Sequence, residues 1–196
     1  MKCAIMAPMT IRYKNRRDQI YYLHQGKTKT GRVNYFFSMK SDGDPVDAIP
    51  EGFEIYENPN AQVFLRRKRP KIIMDEEAAL VDRGVKQFSD LEYYLIDTKN
   101  DTITVLTANQ DWNPLSEAFG FVSYARAKEI FRRFLSYTPM LQFVLKDKEK
   151  REFIVRRYCF LGSVEDWITI GGPGELQDLV KKFVRHLGKD SFYELF

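Results

Sequence analysis

Apolar and polar residues alternate in short runs along the first third of the chain, and the alternation predicts four strands in two hairpins. Ile20–Lys27 and Val33–Lys40 read as strands around the turn-like Thr28–Arg32, where Gly31 can take positive φ. Phe53–Glu57 and Gln62–Lys68 flank the turn Asn58-Pro59-Asn60-Ala61. Two successive antiparallel hairpins make a four-stranded meander. Residues 1–19 carry no period and read as a lead-in strand or loose arm. Ser41–Gly52, with Asp42-Gly43-Asp44-Pro45 and Pro50-Glu51-Gly52, reads as a connection with room for one helical turn. Period-two sorting gives two faces. Leu23, Val33, Tyr35, Phe37, Met39, Phe53, Ile55, Val63 and Leu65 form the expected core face, and Tyr22, His24, Phe36, Tyr56, Phe64, Arg66 and Lys68 form a face of rings and cations.

Helical spacing begins after Pro70. Asp75 is placed to cap a helix whose acidic first turn, Asp75-Glu76-Glu77, suits the positive end of the helix dipole, and Ala78, Val81, Val85 and Phe88 follow at helical intervals. Glu92–Thr98 and Thr102–Ala108 form a third hairpin around Lys99-Asn100-Asp101. Gln110–Gly120 reads as a loop carrying Trp112 and Pro114. Ser123 precedes a second helix, with Ala127, Ile130, Phe131, Phe134 and Leu135 on one face, Arg126, Lys128, Arg132 and Arg133 opposite, and Pro139 as its stop. Leu141–Asp147 and Arg151–Phe160 make a fourth hairpin, followed by a strand over Val164–Ile170. The turn Gly171-Gly172-Pro173-Gly174 leads to a last helix bearing Leu176, Leu179, Val180, Phe183, Val184 and Leu187, with Gly188 beyond it. The apolar tail Phe192–Phe196 is expected to pack down. The fold class is α+β: antiparallel β-hairpins and meanders with three main helices, in two small units, 1–71 and 72–196.

Composition narrows the class. A chain of 196 residues holds one or two domains, and 44% hydrophobic with 14% aromatic residues suits a globular protein rich in sheet. Cys3 and Cys159 lie far apart with no metal-ligand spacing, which fits a reduced interior. Cys3 comes too early for a lipoprotein signal, the apolar stretch around it is too short for a secretory one, and no run of 18 apolar residues exists. A soluble, cytoplasmic protein without membrane contact is expected. Residues 1–71 hold 14 Lys+Arg against 7 Asp+Glu, whereas residues 72–196 hold 17 against 20. A basic first third favours anionic partners, is simply solvated, or docks on the acidic remainder.

Candidate chemistry is sparse. Gly26-Lys27-Thr28 has the letters of a phosphate loop, but Tyr21 stands where the pattern needs glycine, and a strand follows where it needs a helix. The tip Lys27-Thr28-Lys29-Thr30-Gly31-Arg32 presents three cations and two hydroxyls, a composition that grips a phosphate backbone or is merely solvated. Aromatic sheet faces stack bases at about 1–3 kcal/mol per base. The same rings also suit a face covered by residues 72–196, or one that meets another protein. His24 and His186 have no Cys or carboxylate at a metal-ligand interval, so no metal and no cofactor is expected. Asp97, Asp101, Asp111, Glu165 and Asp166 sit at hairpin tips or strand ends, and Asp147, Glu149 and Lys150 share one turn, as acidic residues do without any catalytic role. Glu175 already supplies the negative charge that an anion would bring to the Gly171–Gly174 helix start.

Two resemblances rest on the first third. Tyr22-Leu23-His24-Gln25-Gly26-Lys27-Thr28-Lys29-Thr30-Gly31, then Tyr35-Phe36-Phe37-Ser38, then Ile49-Pro50-Glu51-Gly52-Phe53-Glu54-Ile55-Tyr56-Glu57-Asn58 resembles a pattern of uncharacterised bacterial proteins. It implies a bacterial origin and no function. Pro50-Glu51-Gly52-Phe53-Glu54 with Asn60 and Phe64 is similar to the start of a WW domain, with Phe53 in place of the opening tryptophan and no closing Trp-x-x-Pro.

Together these features predict a non-enzymatic, macromolecule-binding protein whose contact unit is residues 20–71. The specific expectation is nucleic-acid backbone binding by Tyr22, His24, Lys27, Lys29, Arg32, Phe36, Tyr56, Phe64, Arg66, Arg67, Lys68 and Arg69. A protein–protein or self-association module on the same face is the alternative, and an enzyme using carboxylates the third reading. Partner identity and oligomeric state are not encoded in any motif.

Overall fold

A computed structural model describes residues 10–44, 46–110, 124–161 and 164–196. The expected loop around Trp112 and Pro114 and the Ser123 cap lie outside the described residues. The chain is α+β, its described residues forming ten strands in antiparallel sheets and three α-helices, and it divides into the compact units Met1–Arg69 and Pro70–Phe196.

In the first unit, β1 (Arg12–Lys14), β2 (Ile20–Lys27) and β3 (Val33–Ser38) form one sheet in the order β1-β2-β3, and β4 (Phe53–Glu57) and β5 (Val63–Arg67) form a separate two-stranded sheet. The expected four-stranded meander is therefore two sheets. The connection after β3 explains the difference. Its described residues form no helical turn and lie back along β2, where the Gln25 N–H donates to Asp44 O at 3.0 Å and the Val46 N–H to Leu23 O at 3.1 Å. Two of its backbone groups are thereby satisfied on β2, and β4 pairs with β5 in a separate sheet.

Residues 12–19 are no loose arm. Asn15, 3% exposed, organises the β1–β2 turn. Its side-chain oxygen accepts from the Arg17 and Gln19 amides at 3.0 and 2.9 Å, and its Nδ2 donates to Ala61 O at 2.7 Å. The Tyr13 hydroxyl donates to Glu57 Oε2 at 3.1 Å, and Arg16 Nη2 to Asn58 O at 2.8 Å. These bonds tie the β1–β2 turn to the β4–β5 hairpin and so join the two sheets of the unit.

The second unit is a five-stranded antiparallel sheet in the order β10-β9-β8-β7-β6. Its strands are β6 (Tyr94–Lys99), β7 (Thr102–Ala108), β8 (Tyr137–Asp147), β9 (Glu152–Leu161) and β10 (Val164–Glu175). The helices are α1 (Asp75–Phe88), α2 (Tyr124–Phe134) and α3 (Leu176–Phe183), the last extended by a 3₁₀ turn over Val184–His186. Met74, not Asp75, occupies the α1 N-cap: its N–H donates to Glu77 Oε2 at 2.8 Å, while Asp75 in the first turn holds Lys71. Pro139 lies inside β8, beyond the end of α2. It pairs with Leu106 at a register shift, and such a bulge tolerates the missing N–H. Gly171–Gly174 likewise belongs to β10, which makes two register shifts against β9 just before α3 begins.

The core of this unit lies between the sheet and helices α1 and α3. Val81 and Val85 of α1 and Leu176, Leu179, Val180 and Phe183 of α3 pack with Ile103, Val105, Leu141, Phe143, Phe153 and Val155. Each such side chain contributes roughly 1.5–3 kcal/mol on burial. The tail packs down through Phe192 and Leu195 as its apolar character predicts, whereas the Phe196 side chain is exposed. Among the described residues, no helix is long and apolar enough to cross a membrane.

Candidate functional site

The β2–β3 hairpin brings the tip cations forward on a turn fixed by its own threonine. The Thr28 N–H donates to Arg32 O at 2.8 Å, the Gly31 N–H to Thr28 O at 2.9 Å, and the Arg32 N–H to Thr28 Oγ1 at 3.1 Å. Gly31 takes φ +78°, a conformation that its missing Cβ permits. Lys27, Lys29 and Arg32 are exposed, and none makes an ion pair with a described residue. The cations at the end of β5 are exposed as well: Arg67, with its guanidinium 5.9 Å from the Phe53 ring centre, then Lys68 and Arg69.

The ring-and-cation face expected from alternation is not one surface. Its residues are divided between two sheets, and several are engaged internally. His24 is 2% exposed, beneath the connection that follows β3. Its Nε2 donates to Lys40 O at 2.9 Å, and its ring stacks on Phe36 with centroids 5.6 Å apart. A residue so enclosed has no access to a macromolecule, so His24 leaves the contact set. Arg66 also changes role. Its Nε bonds Glu54 Oε1 at 2.8 Å and its guanidinium lies 4.0 Å above the Tyr56 ring, which makes a cation–π pair on β4–β5. Arg12 sits 5.7 Å from the Tyr22 ring centre. Phe36 and Phe64 remain exposed, at 44% and 45%.

The core face departs from alternation too. Leu23 and Val63 are buried, but Val33 and Met39 are 52% and 58% exposed. Val33 opens β3 and Met39 follows its last residue, and β3 belongs to a sheet separate from β4 and β5.

The second unit carries a polar cluster that spacing alone did not single out. The Tyr94 hydroxyl on β6 donates to Asp82 Oδ1 at 2.8 Å, and Lys86 Nζ bonds Asp82 Oδ2 at 2.6 Å. Burial alone would raise the Asp82 carboxyl. The Lys86 and Tyr94 hydrogen bonds outweigh it and hold the carboxyl below the usual range. Burial, and then the Asp82 carboxylate, push the Tyr94 phenol well above its ordinary value. The Asp82–Lys86 spacing of four was the only sequence signal, and Tyr94 joins it only through the packing of α1 on β6.

A carboxyl held low in the fold contributes stability above its unfolded value of about 3.9 and loses it as pH falls through the folded value. Tyr94→Phe removes part of that support. It is expected to cost about 1 kcal/mol near neutral pH, discounted for the partial exposure of Asp82, with the difference shrinking below about pH 4. Urea melts of both proteins across that range measure it.

Among the described residues, the other carboxylates noted in the sequence do not gather. Asp97, Asp101 and Asp166 are spread over β6, the β6–β7 turn and β10, Asp111 lies outside the described residues, and the Asp147 carboxylate is taken up by the Glu149 and Lys150 amides, both at 2.9 Å. No group of three or more His, Cys, Asp or Glu among the described residues could hold a metal ion. No family model matches the chain, and no curated protein or solved structure matches it either.

Proposed function

We propose that the first unit binds nucleic acid through the phosphate backbone, with Lys27, Lys29, Arg32, Arg67, Lys68 and Arg69 as the contact set and the exposed Phe36 and Phe64 rings as stacking surfaces. The Lys27–Arg32 tip carries the proposal: three exposed cations without ion pairs to described residues, on a turn whose backbone is held by Thr28. Hydrated cations on a fixed turn release phosphate counterions with little ordering cost, and the excess of 14 basic over 7 acidic residues in positions 1–71 adds long-range attraction.

Labelled single- and double-stranded DNA and RNA, titrated at about 50 and about 200 mM salt, test the proposal. Neutralising six phosphates gives a slope of log K against log salt of about −5 on duplex DNA. Reversing Lys27, Lys29 and Arg32 to Glu reduces the slope to about −3 and weakens binding at least tenfold. No binding at the lower salt rejects the proposal.

A second reading is favoured by the apolar surface of this unit. Of the eleven large hydrophobic residues exposed among the described residues, six lie in it: Ile20, Val33, Phe36, Met39, Ile49 and Phe64. Exposed apolar patches mark interfaces. A stable dimer in light scattering that Phe64→Asp dissociates without unfolding would favour protein association over nucleic-acid binding.

A further inference from the structure

Among the described residues, strand β6 is the outer strand of its sheet, and it lines a groove formed by residues of the second unit. The Ala108 N–H donates to Tyr93 O at 3.1 Å, and the register continues as Leu95↔Leu106, Asp97↔Thr104 and Lys99↔Thr102. Antiparallel pairs alternate between bonded and non-bonded, so Leu95, Asp97 and Lys99 carry the bonds to β7. The backbone N–H and C=O groups of Tyr94, Ile96 and Thr98 therefore point away from the sheet. They find no backbone partner among the described residues. The same three residues line the groove, which holds about 750 Å³, together with Ala78, Ala79 and Asp82 of α1 and Arg132 of α2. The small side chains of Ala78 and Ala79 leave room for a backbone between helix and strand.

We propose that this groove docks an extended peptide, which adds as a sixth strand to the β6 edge and places an acidic side chain at Arg132. Strand addition satisfies the outward N–H and C=O groups that an uncovered edge leaves to water. Six residues of β6 span about 20 Å, the length of a six-residue extended peptide. The charge preference follows from what is already neutralised. Asp82 holds Lys86 and Tyr94, and Glu92 holds Lys128, whereas Arg132 makes no ion pair with a described residue and lies 5.8 Å from the Tyr93 ring centre. A single peptide strand brings only side chains into the slot beside α1, while a second copy pairing through β6 brings its own helix as well.

A mixture library of labelled hexapeptides built from Val, Thr, Ile and Leu, with one Glu at each position in turn, provides the probe. Fluorescence anisotropy is expected to find binders whose Lys-for-Glu counterparts are at least tenfold weaker and whose alternately N-methylated versions do not bind. Amide exchange at Tyr94, Ile96 and Thr98 slows on binding. Thr98→Pro deletes one outward N–H and leaves the β7 ladder intact, and Ala79→Trp fills the slot; each lowers affinity at least tenfold at unchanged melting temperature. Should Thr98→Pro fail to fold, Ala79→Trp decides. The proposal is overturned if no library member binds at millimolar concentration, if N-methylation leaves binding unchanged, or if light scattering shows a dimer that Ala79→Trp or Thr98→Pro dissociates.

Discussion

Arg157→Ala is expected to lower the stability of the second unit by about 3–4 kcal/mol and to release the C-terminal tail. Arg157 is 3% exposed on the core side of β9, between Val155 and Cys159 along the strand. Its charge meets main-chain oxygens: Nε donates to Leu195 O at 2.8 Å and Nη2 to Tyr193 O at 3.1 Å, with the Phe196 ring centre 5.4 Å from the guanidinium. Two bonds from a charged donor, at about 1.5 kcal/mol each, account for most of the loss, and the void left by the stem adds the rest. Arg157→Met keeps the stem and should recover about half. Arg157→Lys should recover less than its charge suggests, because one ammonium cannot span two carbonyls as the planar fork does. Urea denaturation gives the energies, and carboxypeptidase sensitivity reports the tail. A variant within about 0.5 kcal/mol of the parent, with its tail still protected, would show that Arg157 is no anchor.

Arg157 also marks the limit of what alternation conveyed. Phe153, Val155, Arg157 and Cys159 share one face of β9, so a charge at a core position was visible in the letters, but its partners lie 36 and 38 residues away in the tail. The same division runs through the fold. Strands β2, β4 and β7 have the bounds that alternation gives, because a local pattern sets a local element. Which sheet each strand joins depends on Asn15 reaching Ala61 and on Asp44 and Val46 bonding to β2, and neither is a periodic signal. Of the candidate site, the tip cations were legible because charge and turn are local properties. The ring face was not, since it required a register between hairpins that never pair. The groove at β6 was invisible for a related reason. It exists only where α1 lies along the sheet edge, and a non-periodic residue helps to set that position.

That residue is Gly84, and Gly84→Ala is expected to destabilise the second unit by about 1–2 kcal/mol, opposite in sign to helix propensity. In an open helix the change gains about 1 kcal/mol. Here a Cβ would stand 2.1 Å from Val180 Cγ1 and 3.6 Å from Val180 Cβ on α3. Val180 is 2% exposed and β-branched on a helix, so it has no free rotamer into which to retreat. The two helices must separate instead, and overpacking of this kind costs about 1–3 kcal/mol or more, enough to outweigh the propensity gain. Val180→Ala alone leaves a cavity and destabilises by about 1–2 kcal/mol. Combined with Gly84→Ala, the new methyl occupies the space vacated by Val180 Cγ1, so the double variant should be more stable than Gly84→Ala alone, with a coupling of at least 1 kcal/mol by the order of such contacts. Chemical denaturation of the four proteins closes the cycle, and additive effects would mean that α1 and α3 do not touch here. Position 84 falls three residues after Val81 and four before Phe88, on the buried face of α1, and glycine there is the residue that lets α3 approach.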